Sequence, residues 1–208
     1  MLNRAARTRP PTADVKGQPD HYFRKAKAEG FDARSVYKLS AVDARQHLLK
    51  RGDRVLDLGA SPGSWAQYAI ERIGPEGLLV AVDLNPAKKS MPANARFVQG
   101  DATSAETLAA LRPDAPFDVL LSDMAPKTTG VRFADHHRSV ELVRAALALA
   151  GELLRRGGTA FVKVFDGEDL PVIRDEFAAR FDRTTIEKPD ASRKDSVEVF
   201  LLGKGHRA

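Results

Sequence analysis

From residue 53 onward, short and nearly continuous apolar runs alternate with stretches in which apolar residues return every three or four positions. The runs predict strands over residues 53–59 (DRVLDLG), 77–84 (GLLVAVDL), 96–101 (RFVQGD), 117–123 (FDVLLSD), 157–165 (GGTAFVKVF), 183–189 (RTTIEKP) and 196–204 (SVEVFLLGK). The helical spacing predicts helices over 64–74, 105–112, 137–156 and 169–181, with Leu142, Ala146, Leu149 and Leu153 on the core side of the long one. Apolar strands alternating with helices predict an α/β fold: a mainly parallel seven-stranded sheet covered on both faces. The last two strands are joined only by PDASRKD, so they are expected to pair antiparallel.

Upstream, residues 20–29 (DHYFRKAKAE) predict a short basic helix capped by Asp20 and ended by Gly30. Residues 35–49 predict a second helix opened by Ser35, with Val36, Leu39, Val42 and Leu49 on one face and Lys38 off it. Residues 1–19 have no periodicity and read as a flexible basic arm. The expected organisation is that arm, then a single domain over 20–208, made of the N-terminal helices of residues 20–50 and a core over 51–208.

Charge sharpens this picture. The net charge is +5, and residues 1–40 hold nine Lys/Arg against four acids while the remainder balances, so the whole excess sits at the N-terminus. That is the footprint of a polyanion-binding segment, or of a solvated tail. Arg4, Arg7, Arg9, Arg24, Lys25, Lys27 and Arg34 are phosphate-binding candidates interleaved with Tyr22, Phe23 and Tyr37, of which Phe23 is read as a core contact. With no cysteine, disulfides and thiolate chemistry are excluded. No run approaches the ~20 apolar residues of a membrane span, and the N-terminus lacks an apolar signal core. A cytoplasmic protein is expected, with an organelle-targeting segment left open.

The strand ends carry the candidate chemistry. The first strand runs into Gly59-Ala60-Ser61-Pro62-Gly63-Ser64-Trp65, a loop suited to close backbone approach at a helix N-terminus but not the dinucleotide pattern G-x-G-x-x-G. The next three strands end in Asp83, Asp101 and Asp123. Three acids make a poor pocket for pyrophosphate and a good one for a nucleoside carrying a cation. Asp83 would take ribose hydroxyls and Asp101 an adenine amino group, and S-adenosyl-L-methionine has that chemistry. Singly, each acid could simply cap the following helix.

Lys163 closes TAFVK and Glu198 lies within SVEVFLL, so charge is carried into apolar strands, where an unpaired ion costs several kcal/mol. Lys38, Asp123, Lys163 and Glu198 form either a neutralising network that braces the sheet or a proton-transfer site.

VLDLGASPGSW, the strand-end Asp83, QGD at 99–101, LSDMAP at 122–126, FVKVF at 161–165 and KPDASRKDSVEVF at 188–200 closely resemble the FtsJ-like 2′-O-ribose RNA methyltransferases, over roughly residues 20–203. The DHYFRKAK and RSVYKL segments match too. Within the family the chain is most similar to the bacterial heat-shock enzymes that modify a uridine of large-subunit ribosomal RNA. The resemblance implies a Rossmann-like S-adenosylmethionine-dependent methyltransferase fold with an antiparallel last strand. It implies a Lys-Asp-Lys-Glu tetrad at Lys38, Asp123, Lys163 and Glu198, with Lys163 the proton acceptor, and cofactor contacts at Gly63, Trp65, Asp83, Asp101 and Asp123. The partner implied is ribosomal RNA or the large ribosomal subunit. Two departures stand out. Ala-Ser-Pro-Gly-Ser-Trp replaces the Ala-Ala-Pro-Gly-Gly-Trp of many relatives, and Lys127 stands where they carry Asn, which would add an RNA-phosphate contact.

Of the remaining candidates, His136-His137 is expected to be a surface pair at a helix start, Asp135 that helix's cap, and no metal site is expected. Trp65 is read as a cofactor wall rather than a core anchor. A monomer without an obligate protein partner is expected. Methylation of transfer RNA, or a non-enzymatic RNA-binding assembly factor on the same fold, stays open beside the ribosomal reading.

Overall fold

The structure, a computed structural model, describes residues 21–192 and 196–207; the basic arm with Arg4, Arg7 and Arg9, and the Asp20 cap, lie outside them. Two helices lead, α1 (His21–Ala28) and α2 (Val36–Gln46). Then follow β1 (Arg54–Leu58), α3 (Ser64–Ile73), β2 (Leu78–Asp83), β3 (Ala95–Gln99), α4 (Ala105–Leu111), β4 (Phe117–Ser122), α5 (Arg132–Leu153), β5 (Leu154–Phe165), α6 (Leu170–Ala178), β6 (Phe181–Glu187) and β7 (Glu198–His206). Among the described residues the strands form one seven-stranded sheet in the order β3-β2-β1-β4-β5-β7-β6. β7 runs antiparallel to both of its neighbours, and the pairings from β3 across to β5 are parallel.

Strand alternation builds two cores. Leu56, Leu58, Val80, Val82, Leu120, Val162 and Val164 pack against α5 and α6 on one face. Val55, Leu79, Val119, Leu121, Phe161, Phe200 and Leu202 pack against α2 and α3 on the other. Because side chains alternate with period two, Asp57 shares a face with Val55, Lys163 with Phe161, and Glu198 with Phe200. Asp83 and Asp123 continue the rows of Leu79 and Leu121. The chemistry-bearing residues of β1, β2, β4, β5 and β7 therefore all project to the α2/α3 side.

That side is held by stacked rings. Phe161 and Phe200, adjacent in the sheet, stack at 4.7 Å between centroids, and Trp65 from α3 stacks on Phe161 at 5.7 Å. A third cluster of Ala26, Val36, Tyr37 and Ala191 docks α1 onto α2 beside the segment that leads into β7.

Three local expectations change. Ser35 precedes α2 but makes no side-chain cap; its hydroxyl instead meets the Ser64 hydroxyl at 2.9 Å. α5 starts at Arg132, five residues before the expected start, because Asp135 does not cap the helix. Its carboxylate accepts the N–H groups of Thr129 and Gly130 and pins the incoming loop against the first turn. The same helix ends at Leu153, where β5 begins at once. Phe23, expected in the core, is 48% exposed on α1, whose buried contact is Ala26.

Truncating Phe161 leaves a cavity between Trp65 and Phe200. Phe161→Ala is expected to lower unfolding free energy by about 3–5 kcal/mol, measured by urea titration at unchanged m-value.

Candidate active site at the carboxyl ends of the strands

Backbone ties draw the strand ends together. Gly59 and Ala60 donate to the Val82 carbonyl, Asp123 N–H to Leu58, and Gly100 N–H to Asp83. Gly59 has φ +74°, and a Cβ there would lie 2.9 Å from the Met124 backbone, so only glycine lets the β1 loop pass the end of β4. Gly63 has φ +120° immediately before α3, leaving that helix's first N–H groups facing the loop.

The four charged residues, 160 positions apart at the extremes, meet here. Lys38 Nζ donates to Glu198 Oε2 at 2.7 Å. Lys163 Nζ donates to the Asp123 carboxylate at 2.9 Å and to the Asp123 carbonyl at 2.6 Å, and lies 3.9 Å from Glu198. Ser196 Oγ adds a 2.9 Å bond to Glu198. Both lysines are buried and both carboxylates half-buried, so charge alternates along Lys38–Glu198–Lys163–Asp123. Burial alone would raise the Glu198 carboxyl; the ammonium groups of Lys38 and Lys163 and the Ser196 hydroxyl hold it below its ordinary value instead.

Beside the tetrad opens a cleft of about 650 Å³, lined by Arg34, Ser35, Lys38, Thr128, Arg132, His136, Asp166, Ser196 and Glu198 among others. A smaller apolar cavity of about 170 Å³ flanks the glycine loop between α3 and residues 86–92; none of Asp83, Asp101 or Asp123 lines it.

The acids at the strand ends behave differently from one another. Asp83 accepts from Ser61 N–H at 2.9 Å and from the Asn85 backbone and side chain at 2.8 and 2.9 Å, leaving about one of its roughly four acceptor positions. To take both hydroxyls of a ribose, it must release the Asn85 amide. Asp101 is exposed and accepts from the N–H and hydroxyl of Thr103, which hold its carboxyl below the usual range. Asp57, which sequence reasoning missed, is 0% exposed, and neither of its oxygens has a hydrogen-bond partner. Desolvation, then the charges of Asp123 and Asp83, raise its pKa to about 8. The signal was present in VLDLG: an acid two residues before a glycine on an otherwise apolar strand. A ligand bringing positive charge and donors suits this orphaned carboxylate and its neighbours; an anionic one does not. S-adenosylmethionine, with ammonium, sulfonium and ribose hydroxyls, fits.

Other expectations are corrected. Trp65 is 2% exposed, stacked in the core, and its indole N–H donates to the Ser35 carbonyl at 2.8 Å, so the ring is no cofactor wall. The Ser64 hydroxyl is buried against Ser35. What both residues can offer a ligand is backbone N–H at the start of α3. His136 is buried, not on the surface: one ring nitrogen meets the Phe165 carbonyl at 2.9 Å and the other accepts Asp169 N–H at 3.1 Å, fastening α5 to the segment after β5. His137, expected to lack a metal-spaced neighbour, has ligand atoms of Glu168 and Asp169 within 4.8 Å across the fold, and Asp169 already lies 3.1 Å from its ring. Of the phosphate-binding candidates, Arg24, Lys25 and Lys27 are exposed on α1, and Lys25 sits over the Tyr37 ring. Arg34 reaches the cleft while donating to the Ala191 carbonyl, and Lys127 is exposed in the β4–α5 loop. Tyr37 is buried with its hydroxyl on Glu29.

Residues 31–206 match the sequence profile described as FtsJ-like methyltransferase. The chain belongs to the FtsJ-like methyltransferase family. It is 47% identical over 185 residues to the ribosomal RNA large subunit methyltransferase E of Syntrophobacter fumaroxidans, covering 88% of this chain and 94% of that protein. The enzyme of the same name from Sorangium cellulosum is 47% identical over 191 residues, covering 92% and 90%. Among solved structures, a ribosomal RNA methyltransferase from Plasmodium falciparum superposes with a TM-score of 0.74 at 25% identity, over 85% of this chain and 98% of that one. Aeropyrum pernix fibrillarin, solved with bound S-adenosyl-L-methionine, shares the fold at 20% identity and a TM-score of 0.58, over 81% and 76%. This FtsJ-like chain is thus an enzyme of the S-adenosylmethionine-dependent methyltransferase class.

The raised Asp57 carboxyl carries a linkage consequence. The folded state holds its proton up to about pH 8, whereas an unfolded aspartate releases it near 3.9. Its contribution to stability is therefore full below pH 4 and is lost as pH rises through 8. In the ligand-free protein, Asp57→Asn should gain stability relative to wild type between pH 5 and pH 8, read as a widening difference in thermal midpoint. A pH-independent difference would refute the assignment.

Proposed function

We propose that this enzyme transfers the methyl group of S-adenosylmethionine to a ribose 2′-hydroxyl of large-subunit ribosomal RNA, most simply a uridine, with Lys38, Asp123, Lys163 and Glu198 as the catalytic set. The observation that carries the reading is the alternating chain of two buried lysines and two carboxylates at the edge of a cleft that Lys38 and Glu198 line. A bracing network would not need to open onto a cleft of that size. The relatives named above, matched along nearly their whole length, support ribosomal RNA as the acceptor.

When bound, S-adenosylmethionine supplies an electrophilic methyl on a good leaving group. Gly59, Gly63 and the first N–H groups of α3 would approach it by backbone, Asp83 would take its ribose, Asp101 its adenine amino group, and Asp57 with Asp123 its cationic end. The chain's own work is alignment and proton handling. Lys163 Nζ, oriented by the two bonds it donates to Asp123, has one direction left, toward Glu198, which lines the cleft. In its neutral form it accepts the proton of the 2′-hydroxyl. Lys38 and Glu198, fixed to one another, hold the hydroxyl and balance the charge. Placing the hydroxyl in line with the methyl supplies a large share of the rate.

RNA reaches the cleft over α1, where Arg24, Lys25 and Lys27 contact phosphates, with Arg34 at the entrance and Lys127 on the opposite loop. The N-terminal arm, residues 20–50 and the core over 51–208 act as one methyltransferase unit, a monomer working in the cytoplasm on ribosomal RNA or the large subunit. Among the described residues no helix is long and apolar enough to cross a membrane.

The test is transfer of labelled methyl to ribosomal subunits lacking ribose methylation, with free ribosomal and transfer RNA in parallel, and mapping of the product. A 2′-O-methyl in large-subunit RNA is expected; label confined to transfer RNA would overturn the acceptor. Lys163→Ala should lower transfer by about 10²-fold or more while cofactor affinity stays nearly unchanged, and an active variant would sink its role. For the RNA path, replacing Arg24, Lys25 and Lys27 together by Ala should flatten the slope of log affinity against log salt by about 2, at roughly 0.7 per lost contact to single-stranded RNA. An unchanged slope would remove α1 from the RNA path.

A further inference from the structure

The described surface is apolar in few places, and one of them flanks a residue that lines the cleft. Val131 and Phe133, at the start of α5, are 60% and 61% exposed. Arg132, between them in sequence, lines the cleft together with Thr128 and His136. An exposed phenylalanine gains little from its own fold, since it leaves most of its apolar area in water. Phe133 does have a fixed orientation: the ring of His137, one helical turn on, meets it edge to face at 4.3 Å. It stands on a helix start that the Asp135 carboxylate and the His136 bridge to β5 hold rigid.

The charge around it selects an occupant. Lys127, Arg132 and Arg138 are exposed on the loop and first turns. Of the nearest acids, Asp135 accepts backbone N–H groups, Asp169 Oδ2 lies 3.1 Å from the His137 ring without a hydrogen-bond partner, and Asp166 and Glu168 remain toward the cleft and solvent. A rigid aromatic face among cations, next in sequence to a cleft-lining arginine, suits an unpaired base whose phosphates the cations meet. A protein partner would need a broader apolar patch than two side chains.

We propose that Phe133 is a stacking platform for an unpaired RNA base next to the acceptor nucleotide, with Arg132 on the adjoining phosphate, so that the acceptor is gripped from the α5 side as well as from α1. This rests on the RNA-acceptor reading above. The platform fixes the strand's register without touching the reacting atoms, so Phe133 is a positioning residue.

Methyl transfer to the mapped ribosomal RNA acceptor is to be compared for wild type, Phe133→Ala, Phe133→Leu and Phe133→Trp. Stacking worth ~1–3 kcal/mol per base corresponds to roughly a 5- to 150-fold rise in KM for RNA in the Ala variant. kcat at saturating RNA, affinity for S-adenosylmethionine and the thermal midpoint should be unchanged. Trp should restore KM and Leu should not. An RNA carrying 2-aminopurine beside the acceptor should be quenched by wild type and not by the Ala variant. A wild-type KM in Phe133→Ala, or rescue by Leu equal to that by Trp, overturns the platform while the RNA reading stands. A wild-type dimer in sedimentation that the Ala variant loses, with KM unmoved, overturns it in favour of a protein contact. Failure of wild type itself to methylate or bind RNA overturns the underlying reading, and the platform with it.

Discussion

The ammonium group of Lys163 is buried at the end of a central strand, and the structure around it is arranged to make that tolerable. A lone ammonium in an apolar sheet costs several kcal/mol. Here the group donates one N–H to the Asp123 carboxylate and one to the Asp123 carbonyl, with Glu198 at 3.9 Å. Glu198 in turn needs Lys38, which α2 delivers. For these to meet, β4, β5 and β7 must be neighbours, β7 must run antiparallel so that its beginning lies beside the end of β5, and α2 must lie on the same face. Charge neutralisation thus constrains strand order, strand direction and helix placement together.

The same face explains the cofactor side. Asp57, Asp83 and Asp123 descend from rows that begin with core residues Val55, Leu79 and Leu121, and their mutual repulsion is left uncompensated at Asp57. On the same face, the ring stack of Trp65, Phe161 and Phe200 packs the strands that carry Lys163 and Glu198. An acidic floor with one orphaned carboxylate, next to a neutralised tetrad, has the charge that a cationic donor would complement, and stability given up at Asp57 is the kind of local cost that functional sites carry.

Several residues that look functional in isolation serve this scaffold. Ser35 meets the Ser64 hydroxyl and the Trp65 indole, joining α2 to α3 across the site. His136 and Ser139 fasten α5 to the end of β5: Ser139 Oγ accepts the Phe165 N–H at 3.1 Å, and His136 takes the neighbouring carbonyl. The positions of Lys163 and of the cleft depend on these polar clamps as much as on the apolar core.

The chain by itself determined what is local. Period-two and period-3.6 patterns placed the strands and most helices, the glycine loop was legible from its spacing, and charges inside TAFVK and SVEVFLL marked a site because charge there conflicts with burial. The resemblance then set the tetrad. Helix ends were less legible: Arg132 and Phe133 read as loop because the bond that starts α5 runs from Asp135 back to Thr129 and Gly130. Only the tertiary structure decided how polar groups were satisfied. The side chains of Trp65, Ser64 and His136 found partners about 30 residues away, while the Asp57 carboxylate found none and Phe133 remained in solvent. The physical reason is that propensity and periodicity are properties of neighbouring residues. Hydrogen-bond satisfaction, desolvation and exposure are set by atoms the chain brings together from a distance.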